Sequence, residues 1–260
     1  MSTAFYNDHY FRSSIFNFDY GPVADAILSE YAPKTVIEIG CGNGELTKAL
    51  AKEKISIVAI DGYSNPDFKN YANIEFHRVN LNDAGALNTF RFGQKKFDLA
   101  ICLEVAEHLK PNVSRTLIET LTSLADIVIF SAAVPGQDGD GHVNCRERSF
   151  WHTLFDDQNF LLRDTIRTQI RNNQNVGRWY ALNILDYVKN SIPPSIDAYK
   201  QVVANLVASE SAAASHYYLA NRKLDYKNQL LKMDWIWAMF KLRNGIKKIL
   251  GKPANPFDKI

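Results

Sequence analysis

The chain has 260 residues, of which 46% are hydrophobic and 22% charged, and its formal net charge is +2. This balance is typical of a globular protein with one large domain, and the charge is too small to indicate a nucleic-acid-coating surface. Three cysteines without a CxxC spacing predict neither a disulfide framework nor a cysteine zinc site. The polar N-terminus lacks the apolar core of a secretory signal, so we expect a cytoplasmic protein.

The chain begins with an aromatic arm and a helix. Tyr6, Tyr10 and Phe11 lie in the arm, and residues 21–33 then have the apolar spacing of an amphipathic helix that Pro33 ends. We assign residues 1–30 to this arm and first helix.

Short apolar runs follow and alternate with helical stretches. The runs cover residues 35–40, 55–61, 73–80, 97–103 and 126–132, and turn residues bound each of them. Near-continuous apolar strands separated by helices indicate a parallel sheet with helices on both faces. The sequence therefore predicts an α/β fold, a Rossmann-like doubly wound domain over residues 31–190.

Two later segments, 160–170 and 176–189, could add an antiparallel pair at one edge of a mostly parallel seven-stranded sheet. We predict that residues 191–260 form a helical, basic C-terminal extension. Within it, residues 227–252 hold seven basic side chains against one acid, Asp234. This stretch could lie on an anionic membrane surface at the inner face of the membrane, or dock on a partner enzyme. Packing on its own domain or on a second subunit is an equal alternative, so a homo-oligomer stays open.

The string VIEIGCGNG places Gly40, Gly42 and Gly44 after a buried strand and before a helix. Glycine lets the backbone approach a ligand without a Cβ clash, so the string indicates a cofactor-binding turn, although such loops also close ordinary strand–helix connections. The next strand ends in Asp61, where an acidic side chain could accept both hydroxyls of a ribose. The spacing GxGxG, in place of GxGxxG, argues against a nicotinamide dehydrogenase.

These residues resemble a known family. VIEIGCGNG is similar to the first motif of class I S-adenosylmethionine-dependent methyltransferases, Asp61 matches their ribose-binding acid, and FDLAICLEVAEHL resembles their fourth strand and its turn. The resemblance covers residues 30–190 and implies that the glycines wrap the methionine part of the cofactor, while Asn80 and Leu81 flank its adenine. The cofactor-binding residues that it implies are Glu38, Gly40, Cys41, Gly42, Gly44, Asp61, Gly62, Asn80, Leu81 and Leu103.

Candidates for chemistry follow strands four and five. Glu104, Glu107 and His108 have a spacing that would place them on one side of a helical turn, and the Gly- and Asp-rich loop after strand five brings His142. In one interpretation His108 or His142 is a general base, with Glu104 as a further catalytic residue. In a second, all four bind a divalent cation, Mg²⁺ or Mn²⁺, as the similar metal site of small-RNA 3′-terminal 2′-O-methyltransferases implies. A purely structural role is the third.

The segments FSAAVPGQDGDGHVN, RSFWHTLF and VGRWYALNIL resemble a bacterial branch of the family that is associated with surface-polysaccharide assembly. The chain departs from that pattern at Asp138, Asp140 and Leu182. The resemblance implies O-methylation of a saccharide, or of a substituent of a cell-surface polysaccharide or its precursor. Three aromatic residues could stack on a sugar or pack in the core: Trp151, Trp179 and Tyr180.

Other functions stay open at this point. A metal-assisted RNA 2′-O-methyltransferase is one alternative, although the sequence shows no basic groove and we do not expect nucleic acid as a partner. A non-catalytic, cofactor-binding scaffold subunit is another, because glycines and Asp61 predict binding alone. The N-terminal arm could be a lid that excludes water from the transfer, or could pack statically on the domain.

Overall fold

The computed structural model describes residues 8–11, 13, 16–51, 54–89 and 96–190. Within these ranges, all five predicted apolar runs form strands: β1 (Thr35–Ile39), β2 (Ser56–Asp61), β3 (Ile74–Arg78), β4 (Leu99–Leu103) and β5 (Ile127–Ser131). They pair in parallel in the order β3-β2-β1-β4-β5. β4 is buried along its whole length, which explains its continuous apolar sequence. The predicted C-terminal extension lies outside the described residues.

Two further strands complete a seven-stranded sheet of order β3-β2-β1-β4-β5-β7-β6. They are β6 (Phe160–Leu162) and β7 (Leu185–Lys189), and β7 runs antiparallel to both β5 and β6. The predicted Rossmann-like, mostly parallel sheet with an antiparallel pair at one edge is therefore confirmed.

The helices cover both faces of the sheet. They are α1 (Asp8–Phe11), α2 (Gly21–Tyr31), α3 (Glu45–Leu50), α4 (Ala84–Thr89), α5 (Ser114–Leu124), α6 (Arg148–Asp157), α7 (Thr165–Ile170) and α8 (Arg178–Asn183). Alternate residues of β1 enter two separate cores: Ile37 packs in a cluster with Leu117 of α5, and Val36 in a cluster with Ile27 of α2. Among the described helices, none is long and apolar enough to cross a membrane.

Each of the two late segments contains a helix as well as a strand. Ile166 and Ile170 are both buried at a spacing of four, which suits one face of a helix. Asp186 of β7 accepts the backbone N–H groups of Thr165 and Ile166 at 2.7 and 3.1 Å and so caps α7. This contact between distant segments stabilises the start of α7.

Candidate active site

The turn after β1 has three glycines with positive φ, which other residues rarely adopt. A Cβ on Gly40 would lie 2.3 Å from the Val105 side chain, and one on Gly44 would lie 2.5 Å from Phe68. Among the described residues, a Cβ on Gly42 would meet only Phe11 of the arm, at 3.7 Å. Packing inside the protein therefore requires Gly40 and Gly44, whereas Gly42 keeps the space beneath the arm open.

Asp61 holds this turn in place. Its Oδ2 accepts the N–H of Gly42 at 3.0 Å, and its Oδ1 accepts those of Tyr63 and Ser64 at 2.8 Å each. Three of the about four acceptor positions of a carboxylate are thus taken by backbone. The group keeps capacity for about one further donor, fewer than the two ribose hydroxyls that the sequence suggested.

Glu38 is buried under the turn and accepts a hydrogen bond from Thr47 Oγ1 at 2.5 Å. Burial, reinforced by the negative charge of Asp61, raises the pKa of Glu38 to about 8. The carboxyl is therefore mostly neutral at pH 7 in the free protein. A cationic ligand beside it would favour its ionised form.

This pKa predicts a pH dependence of folding. A carboxyl with an ordinary pKa of 4.5 and a folded-state pKa of about 8 binds its proton more tightly in the folded protein. Its stabilising contribution is complete below pH 4.5 and is lost as pH rises toward 8, by up to roughly 1.4 kcal/mol per pH unit. We expect wild type to lose more thermal stability than Glu38→Gln between pH 5.5 and 8.5. The exposed Glu45, replaced by glutamine, is the control. Parallel unfolding curves for wild type and Glu38→Gln would contradict the prediction.

One cavity of about 640 Å³ joins the glycine turn to the ends of β4 and β5. Eight predicted cofactor residues line it: Glu38, Gly40, Cys41, Gly42, Asp61, Gly62, Leu81 and Leu103. Gly44 and Asn80 are outside its lining, and the exposed Asn80 accepts the N–H of Asn82 at 3.1 Å. Asn82 lines the cavity instead, so a contact between Asn80 and the adenine stays a prediction.

The segment after β4 is not the predicted helical turn. Glu104 has a left-handed backbone with φ of 53°, and its N–H donates to the carbonyl and the hydroxyl oxygen of Ser131. The chain is thereby redirected into a short 3₁₀ turn at Ala106–His108. Glu104, Glu107 and His108 nevertheless all line the cavity, as predicted.

The Glu104 carboxylate lies in a network that sequence reasoning missed. Oε2 accepts Gln137 Nε2 at 3.0 Å, and Oε1 accepts Asn183 Nδ2 at 3.3 Å. The same Asn183 amide donates to Gln137 Oε1 at 2.8 Å. The network joins the end of β4, the loop after β5 and the end of α8.

Glu107 is fully buried beside Glu104, and among the described residues no donor reaches either of its carboxylate oxygens at hydrogen-bond geometry. Burial, with the negative charge of Glu104, raises the pKa of Glu107 well above its ordinary value. A carboxyl buried this deeply is stable only when it is neutral or paired with a cation.

The rings of His108 and His142 meet edge to face, with centroids 4.9 Å apart. His142 Nδ1 lies 3.2 Å from the Gln137 carbonyl and His108 bonds to the Gly141 carbonyl, so each ring has one nitrogen occupied as a donor. Burial lowers the pKa of His108 to about 4 and also lowers that of His142. Both rings are therefore neutral at pH 7 and present a lone pair on the second nitrogen.

The predicted metal-ligating set is largely brought together. Ligand atoms of Glu107, His108 and His142 lie within 4.8 Å of one another. Glu104 is outside this group of three, because its oxygens accept the amides of Gln137 and Asn183. The arrangement can hold a proton or a cation beside the cofactor turn.

The three aromatic residues predicted for sugar stacking separate into two groups. Trp179 and Tyr180 line the cavity. Trp151 is only 2% exposed and packs on Phe130 at 5.2 Å, so it belongs to the core. Because α6 packs Trp151 against the sheet, the Trp151 ring cannot contact a methyl acceptor in the cavity.

Comparison with known proteins identifies the class. A family model described as a methyltransferase domain matches residues 21–173, more than half of the chain. The chain belongs to this family, and the prediction of a methyltransferase that uses S-adenosylmethionine is confirmed. No curated protein sequence gives a significant match.

Two solved structures share the fold with a TM-score of 0.50. One is a 1,6-didemethyltoxoflavin-N1-methyltransferase from Burkholderia thailandensis with bound 1,6-didemethyltoxoflavin and S-adenosylhomocysteine; it is 16% identical and aligns over 70% of this chain and 83% of that chain. The other is a SAM-dependent methyltransferase from Archaeoglobus fulgidus, 13% identical over 71% of this chain and 100% of that chain. At these identities the likeness concerns the fold alone.

Proposed function

We propose that the protein transfers a methyl group from S-adenosylmethionine to a hydroxyl of a saccharide, or of a substituent of a cell-surface polysaccharide or its precursor. The observation that carries this proposal is the cluster of Glu107, His108 and His142 in the cavity of the glycine turn. A hydroxyl must lose its proton as it attacks, so its methylation needs a proton-accepting or charge-stabilising group beside the donor site.

The residues around the turn fit the methyl donor. Glu38 and Asp61 supply acidic groups for a cosubstrate that carries a sulfonium, an ammonium and ribose hydroxyls. When bound, S-adenosylmethionine supplies an electrophilic methyl carbon. The acceptor oxygen forms a bond to that carbon while the carbon–sulfur bond breaks, and the hydroxyl proton passes to the cluster.

The N-terminal arm supports the transfer by covering the cavity. Tyr10, Phe11 and Phe16 pack on one another and line the cavity, and Asn43 donates to the Phe11 carbonyl at 3.4 Å. A closed aromatic wall excludes water from an electrophilic methyl group. Tyr6 lies outside the described residues, and movement of the arm as a lid stays a prediction.

Between the two histidines, His142 is the better general base. His108 is the more buried, and a pKa of about 4 makes it a weak proton acceptor at neutral pH. His142 is anchored through Nδ1, which leaves Nε2 to receive the proton. His108 then stacks edge-on against His142 and limits the orientations of its ring.

The charge of the cavity favours a neutral acceptor group. Among the lining residues in the described part of the chain, none is lysine or arginine, whereas six are acidic: Glu38, Asp61, Glu104, Glu107, Asp138 and Asp140. Although burial favours the neutral form of Glu38 and Glu107, the described lining offers no positive charge to bind phosphate, which opposes RNA as the acceptor. The aromatic rings of Tyr10, Phe16 and Trp179 suit the apolar face of an uncharged sugar.

A metal-assisted transfer is the second candidate, and the spacing of Glu107, His108 and His142 favours it. Neutral histidines anchored by backbone carbonyls are typical of metal ligands. A divalent cation such as Mg²⁺ or Mn²⁺, when bound there, would acidify the acceptor hydroxyl. Glu107 would supply the carboxylate ligand.

Chelation separates the two candidates. With a general base, we expect EDTA-treated protein to keep its methyl transfer and Mn²⁺ to leave the rate unchanged. With a metal, transfer is lost and restored by Mn²⁺, and Glu107→Gln abolishes Mn²⁺ binding measured by calorimetry. Glu119→Gln, an exposed change on α5, is the matched control.

The predicted membrane or partner contact of residues 227–252, the cytoplasmic location and a homo-oligomeric state stay proposals. The basic stretch lies outside the described residues. A vesicle-binding assay with the full chain and anionic lipids tests the first of them.

A further inference from the structure

We infer that Gln137 and Asn183 are positioning residues that set the orientation of His142 for methyl transfer; the inference rests on the proposed function. Gln137 is a buried polar side chain of the loop after β5, and its amide contacts both Glu104 and Asn183 at hydrogen-bond distances of 3.0 and 2.8 Å. A loop residue fixed by two partners from two other elements has little freedom to rotate.

The backbone carbonyl of Gln137 connects this fixed residue to His142. Its carbonyl oxygen lies 3.2 Å from His142 Nδ1. A neutral imidazole that donates through Nδ1 keeps its lone pair on Nε2. A displacement of Gln137 moves the carbonyl oxygen that holds the Nδ1 proton and leaves Nδ1 beside Cys145 Sγ at 3.5 Å, so that the ring can change tautomer.

The other side of the loop is held independently. Asn144 Nδ2 donates to the Ala106 carbonyl at 3.1 Å and to Ser114 Oγ at 2.9 Å, and the Asn144 N–H donates to the Glu107 carbonyl. His142 therefore sits between two anchors. Loss of the Gln137 anchor should disturb the ring while Asn144 keeps the loop attached to the domain.

Arg148 fixes the orientation of the Asn183 amide. Arg148 is buried, and its Nη2 donates to Asn183 Oδ1 at 3.2 Å and to the Leu182 carbonyl at 2.6 Å. The carbonyl end of the Asn183 amide faces this guanidinium, so the NH₂ end faces Gln137 and Glu104. α6 and α8 thus set the hydrogen-bond direction of the whole network.

A near-isosteric change tests the network. Gln137→Glu replaces the NH₂ group that faces Glu104 with an oxygen and places two carboxyl groups in contact, which removes the hydrogen bond to Glu104 with little change of volume. Gln169→Glu makes the same exchange beside Glu30, at 3.4 Å but on an exposed surface, and is the matched control. Without adding charge, Gln137→Ala removes both contacts of the Gln137 amide, and Asn183→Leu removes the contact to Gln137 Oε1.

The experiment records the side-chain ¹⁵N signals of His142 at pH 7.5 together with calorimetric binding of S-adenosylhomocysteine. The chain has six histidines, so the His142 signals are assigned by their loss in His142→Ala. We expect one tautomer, protonated at Nδ1, in wild type and Gln169→Glu, and a mixture in the three network variants. Affinity for S-adenosylhomocysteine should stay within threefold of wild type, since displacement of a catalytic group need not alter donor binding.

Two results would overturn the inference: an unchanged His142 tautomer in folded Gln137→Ala and Asn183→Leu, or wild type without a preferred tautomer. Failure of the proposed function gives a different result, because wild type would then show the single tautomer but no methyl transfer to any saccharide. With an active acceptor, we expect kcat to fall about 10²-fold in Gln137→Glu with an unchanged KM for the donor.

Discussion

Replacing His142 with alanine is expected to slow methyl transfer by about 10² to 10⁴-fold, the usual contribution of a general base, with little change in donor affinity. The ring lies in the loop after β5, whereas the glycine turn and Asp61 belong to β1 and β2. Its removal therefore leaves the donor side of the cavity intact. The measurement is transfer of labelled methyl groups from S-adenosylmethionine to a panel of glycosides, with calorimetry of S-adenosylhomocysteine beside it.

The companion variants show which histidine takes the proton. His108→Ala should also slow transfer with nearly intact donor affinity, because the His108 ring contacts His142 edge to face. We expect the smaller loss there, since a pKa of about 4 suits His108 poorly as a base. His77→Ala, a change on the edge strand β3, serves as the control. Unchanged turnover in His142→Ala would remove that residue from the mechanism and leave His108 as the remaining base.

The sheet could be predicted because most of its strands are recognisable from a short stretch of sequence. β1, β2, β4 and β5 are short apolar runs that end at turn residues, and burial on both faces demands that composition, whereas the edge strand β3 is only partly covered. The glycine turn could be predicted for the same reason, since its three glycines lie within five residues directly after a buried strand. Strand ends and the turn then fix where the cavity lies.

The contacts on the acceptor side of the cavity could not be predicted as fully, because they join residues that are far apart in the sequence. Glu104 pairs with Gln137 at a separation of 33 residues and with Asn183 at 79, and only the folded sheet brings them together. A polar residue in a loop gives no local sign of such a partner. The left-handed backbone of Glu104 depends likewise on Ser131 of the neighbouring strand, so Glu104 lies outside the helical turn that the spacing of the acids suggested, and only a short 3₁₀ turn forms at Ala106–His108.

Asp61 is the residue whose loss should most affect donor binding. Asp61→Ala is expected to weaken binding of S-adenosylmethionine at least tenfold, since hydrogen bonds to a charged group contribute about 1.5 to 3 kcal/mol. The Asp61 carboxylate has two roles. It lines the cavity, and it accepts hydrogen bonds from three backbone N–H groups of the turn and of the segment after β2. Asp67→Ala, an exposed change in the same segment, is the control. Equal affinity in Asp61→Ala would contradict the prediction.

The number of acceptor positions left on Asp61 makes the test sharper. Since backbone N–H groups take three of about four, the carboxylate can accept about one ribose hydroxyl. Wild type should therefore lose about tenfold in affinity for only one of the 2′-deoxy and 3′-deoxy analogues of S-adenosylhomocysteine. Asp61→Ala should bind that analogue and the parent compound equally, because the acceptor is gone. An equal loss for both analogues in wild type would mean that the turn rearranges on binding and releases a backbone N–H from Asp61.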